Sequence, residues 1–179
     1  MSSFEIRPAT ANDLPRLMAM DHSSSTDYVW QLEIRREPNQ LTASFREVRL
    51  PRSVDLKYPR NPLALAEEWT KRDAVLVALQ DNEPVGYTCL TEEHTSAIAW
   101  VTDLVVAPER RRRGVGSALL TAGQAWAVQR QARRLVLEVI SKNQAGIRLA
   151  QKFGYEFCGY NDQYYPNQDV ALFFGRALK

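Results

Sequence analysis

The residues best suited to chemistry lie between Trp100 and Gln131, WVTDLVVAPERRRRGVGSALLTAGQAWAVQRQ. The apolar run Leu104-Val105-Val106 reads as a buried strand, and Pro108 stops it because proline brings no N–H to a ladder. Four arginines follow, Arg110, Arg111, Arg112 and Arg113, then Gly114-Val115-Gly116-Ser117 and a helical pattern through Leu119, Leu120, Gly123, Trp126 and Ala127. A strand, a glycine turn and a helix start aim backbone N–H groups and the positive end of a helix at an anion. The glycines leave that backbone open, so phosphate oxygens can reach several amides at once. The segment lacks both the Gly-Lys-[Ser/Thr] ending of a nucleotide P-loop and the three glycines of a dinucleotide fingerprint.

Two carboxylates supply a second kind of chemistry. Glu138 interrupts an apolar strand over residues 135–140, and Asp103 precedes Leu104. An acid in such a run needs a partner or a task. A task open to a carboxylate is general acid–base catalysis, taking a proton from a bound group. A carboxylate can take that proton directly or through a water. The partner alternatives are an arginine for Glu138 and a backbone cap for Asp103. His22 and His94 stand in loop-like contexts and read as surface histidines.

The totals restrict the rest. The chain has 179 residues, 45% apolar and 25% charged, with 23 basic against 21 acidic residues. Those are values of one globular domain over residues 1–179. A near-neutral balance with one short basic turn argues for a small polyanion and against a nucleic-acid partner. Cys89 and Cys158 show no metal spacing, so no metal is expected, and a disulfide between them stays open. With no signal-like or long apolar segment, the expectation is a cytoplasmic protein with no membrane partner.

Elements that position these residues follow from patterning. Phe4 to Arg7 alternates as a strand, and Thr10 or Asn12 is placed to cap a helix carrying Leu14, Leu17 and Met18. Ser23 to Asp27 reads as a polar loop. Tyr28, Trp30, Leu32 and Ile34, then Leu41, Ala43 and Phe45, recur at period two around Glu37-Pro38-Asn39, which predicts an inserted β-hairpin. Tyr28 and Trp30 fill either a core face or a pocket wall. Asn61-Pro62 starts a helix with Leu65 and Trp69 on its buried side. Strands are expected over residues 74–79, 85–90, 97–106, 135–140, 155–160 and 170–178, with a helix over 144–153 ended by Gly154. The order is a mixed α/β sheet flanked by helices.

Val106-Ala107-Pro108 followed by Arg111-x-x-Gly114-x-Gly116 resembles the acetyl-CoA pyrophosphate loop of the GNAT superfamily of N-acetyltransferases. Asn143, with a helix that ends Lys152-Phe153-Gly154-Tyr155, is similar to that superfamily's second motif. The tail Tyr164-Tyr165-Pro166 resembles the ends of ribosomal-protein and streptothricin-type members, and length and hairpin lean to the streptothricin type.

The resemblance implies an N-acetyltransferase moving an acetyl group from acetyl-CoA to a primary amine of a small molecule or a protein. Leu104, Val105 and Val106 would line the pantetheine, with the Val105 or Val106 N–H for the oxyanion. Arg111, Arg112, Arg113, Gly114, Val115, Gly116, Ser117 and Asn143 would hold the coenzyme. Glu138 is implied as base, with Asp103 as second choice. Leu149 is followed by Ala150 where the superfamily often has the tyrosine that protonates the thiolate, so Tyr164 or Tyr160 is the substitute. The missing tyrosine also leaves open a coenzyme-binding module without catalysis. Exposed sheet edges allow a monomer or a homodimer.

Overall fold

The computed structural model describes residues 4–178. Strand β1 (Glu5–Pro8) leads to helix α1 (Leu14–Ala19), then to the long hairpin β2 (Ser24–Glu37) and β3 (Gln40–Leu56). Helix α2 (Leu65–Glu68) is one turn, flanked by 3-10 turns at Pro62–Ala64 and Trp69–Lys71. Strands β4 (Ala74–Gln80), β5 (Glu83–Glu93) and β6 (Ile98–Val106) precede helix α3 (Val115–Gln129). Strand β7 (Arg134–Ile140), helix α4 (Gln144–Lys152), β8 (Glu156–Asn161) and β9 (Ala171–Ala177) complete the chain. Among the described residues seven strands form one mixed sheet in the order β1-β4-β5-β6-β7-β9-β8, and β2 and β3 form a separate two-stranded ribbon.

Local chemistry explains the junctions. Asp81 and Asn82 both take positive φ, 52° and 64°, which closes β4 onto β5 with a two-residue turn. Asn61 accepts a hydrogen bond from the Leu63 N–H at 3.1 Å, and Pro62 starts the turn, as the sequence predicts. The start of α1 differs from expectation. Asp13, not Thr10 or Asn12, occupies the cap position, and it makes no side-chain cap. Its carboxylate instead accepts from both Arg7 guanidinium nitrogens and the Thr10 N–H, tying β1 to α1. Hydrogen bonding from Arg7 holds Asp13 well below the usual carboxylate range.

The hairpin exists, and it is longer than the sequence suggests. Residues 24–27, expected as loop, are already strand, with a register shift between Thr26 and Tyr28. Serine and aspartate have low strand propensity, but pairing with Val54, Asp55 and Leu56 overrides it. Trp30 anchors the ribbon: its N–H reaches Ser141 O at 3.0 Å, and its indole reaches Gln144 Oε1 at 3.2 Å. Glu47 binds Gln144 and Arg148, and Phe45 packs against Phe157 and Tyr160. The ribbon therefore braces the start of α4.

Two cores lie on opposite faces of the sheet. Leu120, Ala127, Ile147 and Ala150 of α3 and α4 cover one face, against Leu90, Val101, Leu135 and Leu137. Leu14, Leu17 and Leu65 of α1 and α2 cover the other, against Val77, Tyr87, Cys89 and Val105. Among the described residues both cysteines are free, Cys89 buried and Cys158 exposed. No helix of the described residues is long and apolar enough to cross a membrane.

Strand β5 passes so close to β6 that a Cβ on Gly86 would sit 2.6 Å from Val105 O, which cannot move without breaking the ladder. Gly86→Ala is expected to cost about 1–3 kcal/mol. A thermal melt should show Tm falling by roughly 2–10 °C.

Candidate active site

Beyond β6 the chain enters a loop whose backbone is built to face an anion. Arg112 at φ 62° and Gly114 at φ 93° are left-handed, which rotates successive amides toward one side. Gly114 is the cap residue of α3, and no side chain caps the helix or places an acid in its first turn. The first-turn N–H groups therefore keep their hydrogen-bonding capacity at the positive end of a 15-residue helix. A Cβ at Gly114 would meet only Phe4 Cε2 at 3.9 Å, so φ rather than space demands glycine there. Gly116 is different: its Cβ would touch Leu149 at 3.4 Å, where α3 crosses α4.

The arginines divide their labour. Arg111 donates from Nε to Val106 O at 3.0 Å and from Nη2 to Ser23 O at 2.6 Å, so it fastens the loop to β6 and to the segment just before β2. Arg110 donates to Gln80 at 3.2 Å. Arg112 and Arg113 stay exposed beside Gly114, while Val115 is buried and Ser117 half-buried. Asn143 caps α4 by accepting from the Gly146 N–H at 2.9 Å. Uncapped amides, a helix dipole and two exposed guanidiniums fit the diphosphate of a coenzyme.

Strand β6 pairs with β7 only from Ile98 to Val101, opposite Arg134 to Leu137. Past that point the two parallel strands part. The Ala107 N–H donates to Val85 O, and alternation along the β5 ladder turns the Leu104 and Val106 amides toward the gap. The Val105 amide faces Tyr87 of β5 instead, so of the two expected oxyanion donors only Val106 opens on the gap. The register shift opposite Cys89 and Leu90 adds Thr102 as an extra residue on β6. This bulge moves Asp103 and Val105 to the α1/α2 face, beside Tyr87 and Cys89.

Arg60 spans the gap. Its guanidinium donates to Thr102 O at 3.0 Å, to Asp103 Oδ1 at 3.3 Å and to Glu138 Oε1. The Asp103 and Glu138 side chains are only 4% and 3% exposed, which makes these ions dependent on their partners. Tyr58 and Thr102 hydroxyls also donate to Asp103, and the Tyr164 hydroxyl donates to Glu138 Oε2 at 3.1 Å. Burial works against the charge on Arg60, but Asp103 and Glu138 outweigh it and raise its pKa. Arg60 also lies over the Tyr165 ring, 5.4 Å from its centroid.

This cluster floors a cavity of about 460 Å³. Tyr58, Tyr87, Tyr164 and Tyr165 form its aromatic wall, and Asp103, Glu68, Arg60 and Arg72 line it as well. Glu138 lies behind Arg60 and does not line it. Tyr164 therefore joins Glu138, whereas the Tyr160 ring turns to Phe45 under the ribbon. Trp30 belongs to the core edge, and neither it nor Tyr28 lines the cavity. His94 is exposed as expected, with a side chain 76% accessible. His22 is not a surface residue: it is half-buried, hydrogen-bonded to Met20 O and the Tyr87 hydroxyl. Tyr58 and Arg60 escaped the sequence reading. Their signal was the stretch Tyr58-Pro59-Arg60-Asn61-Pro62, where two prolines stiffen the backbone on either side of Arg60.

Two variants test this geometry. Gly114→Val strains the left-handed cap and covers its amides, so acetyl-CoA affinity measured by calorimetry should fall roughly tenfold, about 1–2 kcal/mol. Arg60→Met leaves two buried carboxylates without their cation and should cost about 3 kcal/mol in denaturant unfolding. Asp103→Asn added to Arg60→Met should recover part of that loss.

Comparison with known proteins agrees with the geometry. The acetyltransferase (GNAT) family model matches residues 39–155. Streptothricin acetyltransferase of Streptomyces lavendulae is 26% identical over 182 residues, spanning 98% of this chain and 89% of that protein. The crystal structure of nourseothricin acetyltransferase superposes with a TM-score of 0.81 at 25% identity, over 98% of this chain and 99% of that one. A Bacillus anthracis str. Ames structure in complex with acetyl coenzyme A has the same fold, with a TM-score of 0.74 at 20% identity over 98% of this chain and 99% of that one. Acetyl-CoA is thus the co-substrate, and the chain belongs to the acetyltransferase (GNAT) family, as an acetyl-CoA-dependent enzyme.

Proposed function

We propose that this enzyme acetylates a primary amine on a small cationic molecule, of the aminated-antibiotic kind named for its relatives. The observation that carries the reading is the cavity. Its volume suits a small molecule, and it joins four tyrosines to the carboxylates of Asp103 and Glu68. Aromatic faces and carboxylates together favour an ammonium over a neutral or anionic acceptor.

Acetyl-CoA supplies an activated thioester, so no covalent intermediate on the protein is required. Asp103 stands on the cavity wall and holds the acceptor ammonium. Glu138, behind Arg60, shares the guanidinium with Asp103 and so holds the Asp103 carboxylate in place beside the acceptor. Tyr164 is the proton donor of the site. Burial and then Glu138 raise its pKa, so it stays protonated at neutral pH.

A panel of cationic small amines, polyamines and peptide N-termini, read by release of the coenzyme thiol, tests this function. Small cationic amines should turn over, and a preference for peptides would overturn the reading. Asp103→Asn should lower kcat by about 10²-fold or more with acetyl-CoA affinity retained. Glu138→Gln should lower it by less, since Asp103 still faces the acceptor.

A further inference from the structure

The proton that leaves the acceptor needs a destination, and the cavity wall continues into one. Tyr87 and Tyr58 both line the cavity. The Tyr58 hydroxyl donates to Asp103. On the far side the Tyr87 hydroxyl meets His22 Nε2 at 2.9 Å. His22 Nδ1 lies 2.6 Å from Met20 O. A carbonyl oxygen only accepts, so Nδ1 carries the ring hydrogen and Nε2 presents its lone pair to Tyr87. The imidazole ring also packs on Tyr58, with centroids 4.7 Å apart, which fixes its plane.

We propose that His22, acting through the Tyr87 hydroxyl, receives the proton that the acceptor ammonium loses, which makes it a positioning residue for acetyl transfer. The inference rests on the amine-acceptor reading above. An N–H bond of the ammonium breaks as its proton passes to the Tyr87 oxygen, and the Tyr87 O–H proton passes to Nε2. The products are a neutral amine, an unchanged tyrosine and an imidazolium, so charge is conserved. His22 is half-buried and adjoins exposed Asp21, from which the proton reaches water. A histidine, at ~6.5, is a less unfavourable resting place for an amine proton than a carboxylate at ~3.9.

The surroundings set the sign of its pH dependence. Burial lowers the His22 pKa, Met20 O, Asp103 and Asp21 raise it, and Arg111 lowers it, with a net downward shift. Tyr58 and Tyr87 face the ring as neutral hydroxyls, since burial pushes both well above their ordinary value. His22 accepts only when neutral. Activity should therefore rise with pH through a midpoint below the ordinary histidine value and hold above it.

The experiment joins pH–rate profiles to ¹⁵N NMR of the imidazole, using the full chain. Wild type should show the acidic limb and an Nδ1–H tautomer. His22→Gln should lose roughly 10²-fold in kcat together with that limb, while binding acetyl-CoA as wild type does. Tyr87→Phe keeps the ring in the core and should reproduce both effects, and the double variant should be no worse than either single one. Variants that keep the limb, or stay within about threefold of wild type, overturn the inference without touching the acceptor assignment. If wild type acetylates no amine, that assignment fails. The NMR then decides alone: an Nε2–H tautomer, or a titration unmoved by Tyr87→Phe, overturns the role of His22.

Discussion

The separation of β6 from β7 is the constraint that organises this molecule. Two parallel strands that part leave backbone groups facing a gap, and exposed polar backbone in a sheet interior is costly unless something occupies it. Arg60 supplies part of the answer from within the chain, by binding Thr102 O on one strand and Glu138 on the other. The Leu104 and Val106 amides supply the rest of the gap's polarity, toward the side where the glycine loop begins. Without the bulge at Thr102, Asp103 would sit in the apolar face under α3, where no cation awaits it.

Around that gap the chain gathers segments distant in sequence. The stretch between β3 and α2 brings Tyr58 and Arg60, β5 brings Tyr87, and the tail loop brings Tyr164 and Tyr165. The tail loop is itself fastened by Lys142 to Asp169 at 2.5 Å. Lys142 adjoins Asn143, the cap of α4, and the ribbon grips the same helix through Trp30 and Glu47. The glycine loop, through the packing of Gly116 on Leu149 of α4, and the cavity thus share one set of supports. A small enzyme gains precision this way, because displacing one wall disturbs the other.

Sequence patterning located what is local. Pro108, the paired glycines and the long helix could be read directly, because each depends on its immediate neighbours. The hairpin turn could be read for the same reason. The acids were visible as anomalies in apolar strands, but their partner was not. Arg60 lies 43 residues from Asp103 and 78 from Glu138, and no periodicity links positions so far apart. His22 misled the reading because a loop-like sequence context says nothing about which ring will later cover it. Asp13 shows the same limit on a smaller scale, since Arg7 outcompetes the helix amides for its oxygens.

The two thiols differ in accessibility, and the difference makes the fold easy to instrument. Cys89 is sealed at 2% exposure in the cavity wall, with burial raising its pKa, so it resists alkylation. Cys158 lies exposed on β8, at the opposite edge of the sheet from β1. A maleimide dye or spin label would therefore settle on a single outer strand, giving a fluorescent or paramagnetic reporter without any engineered cysteine.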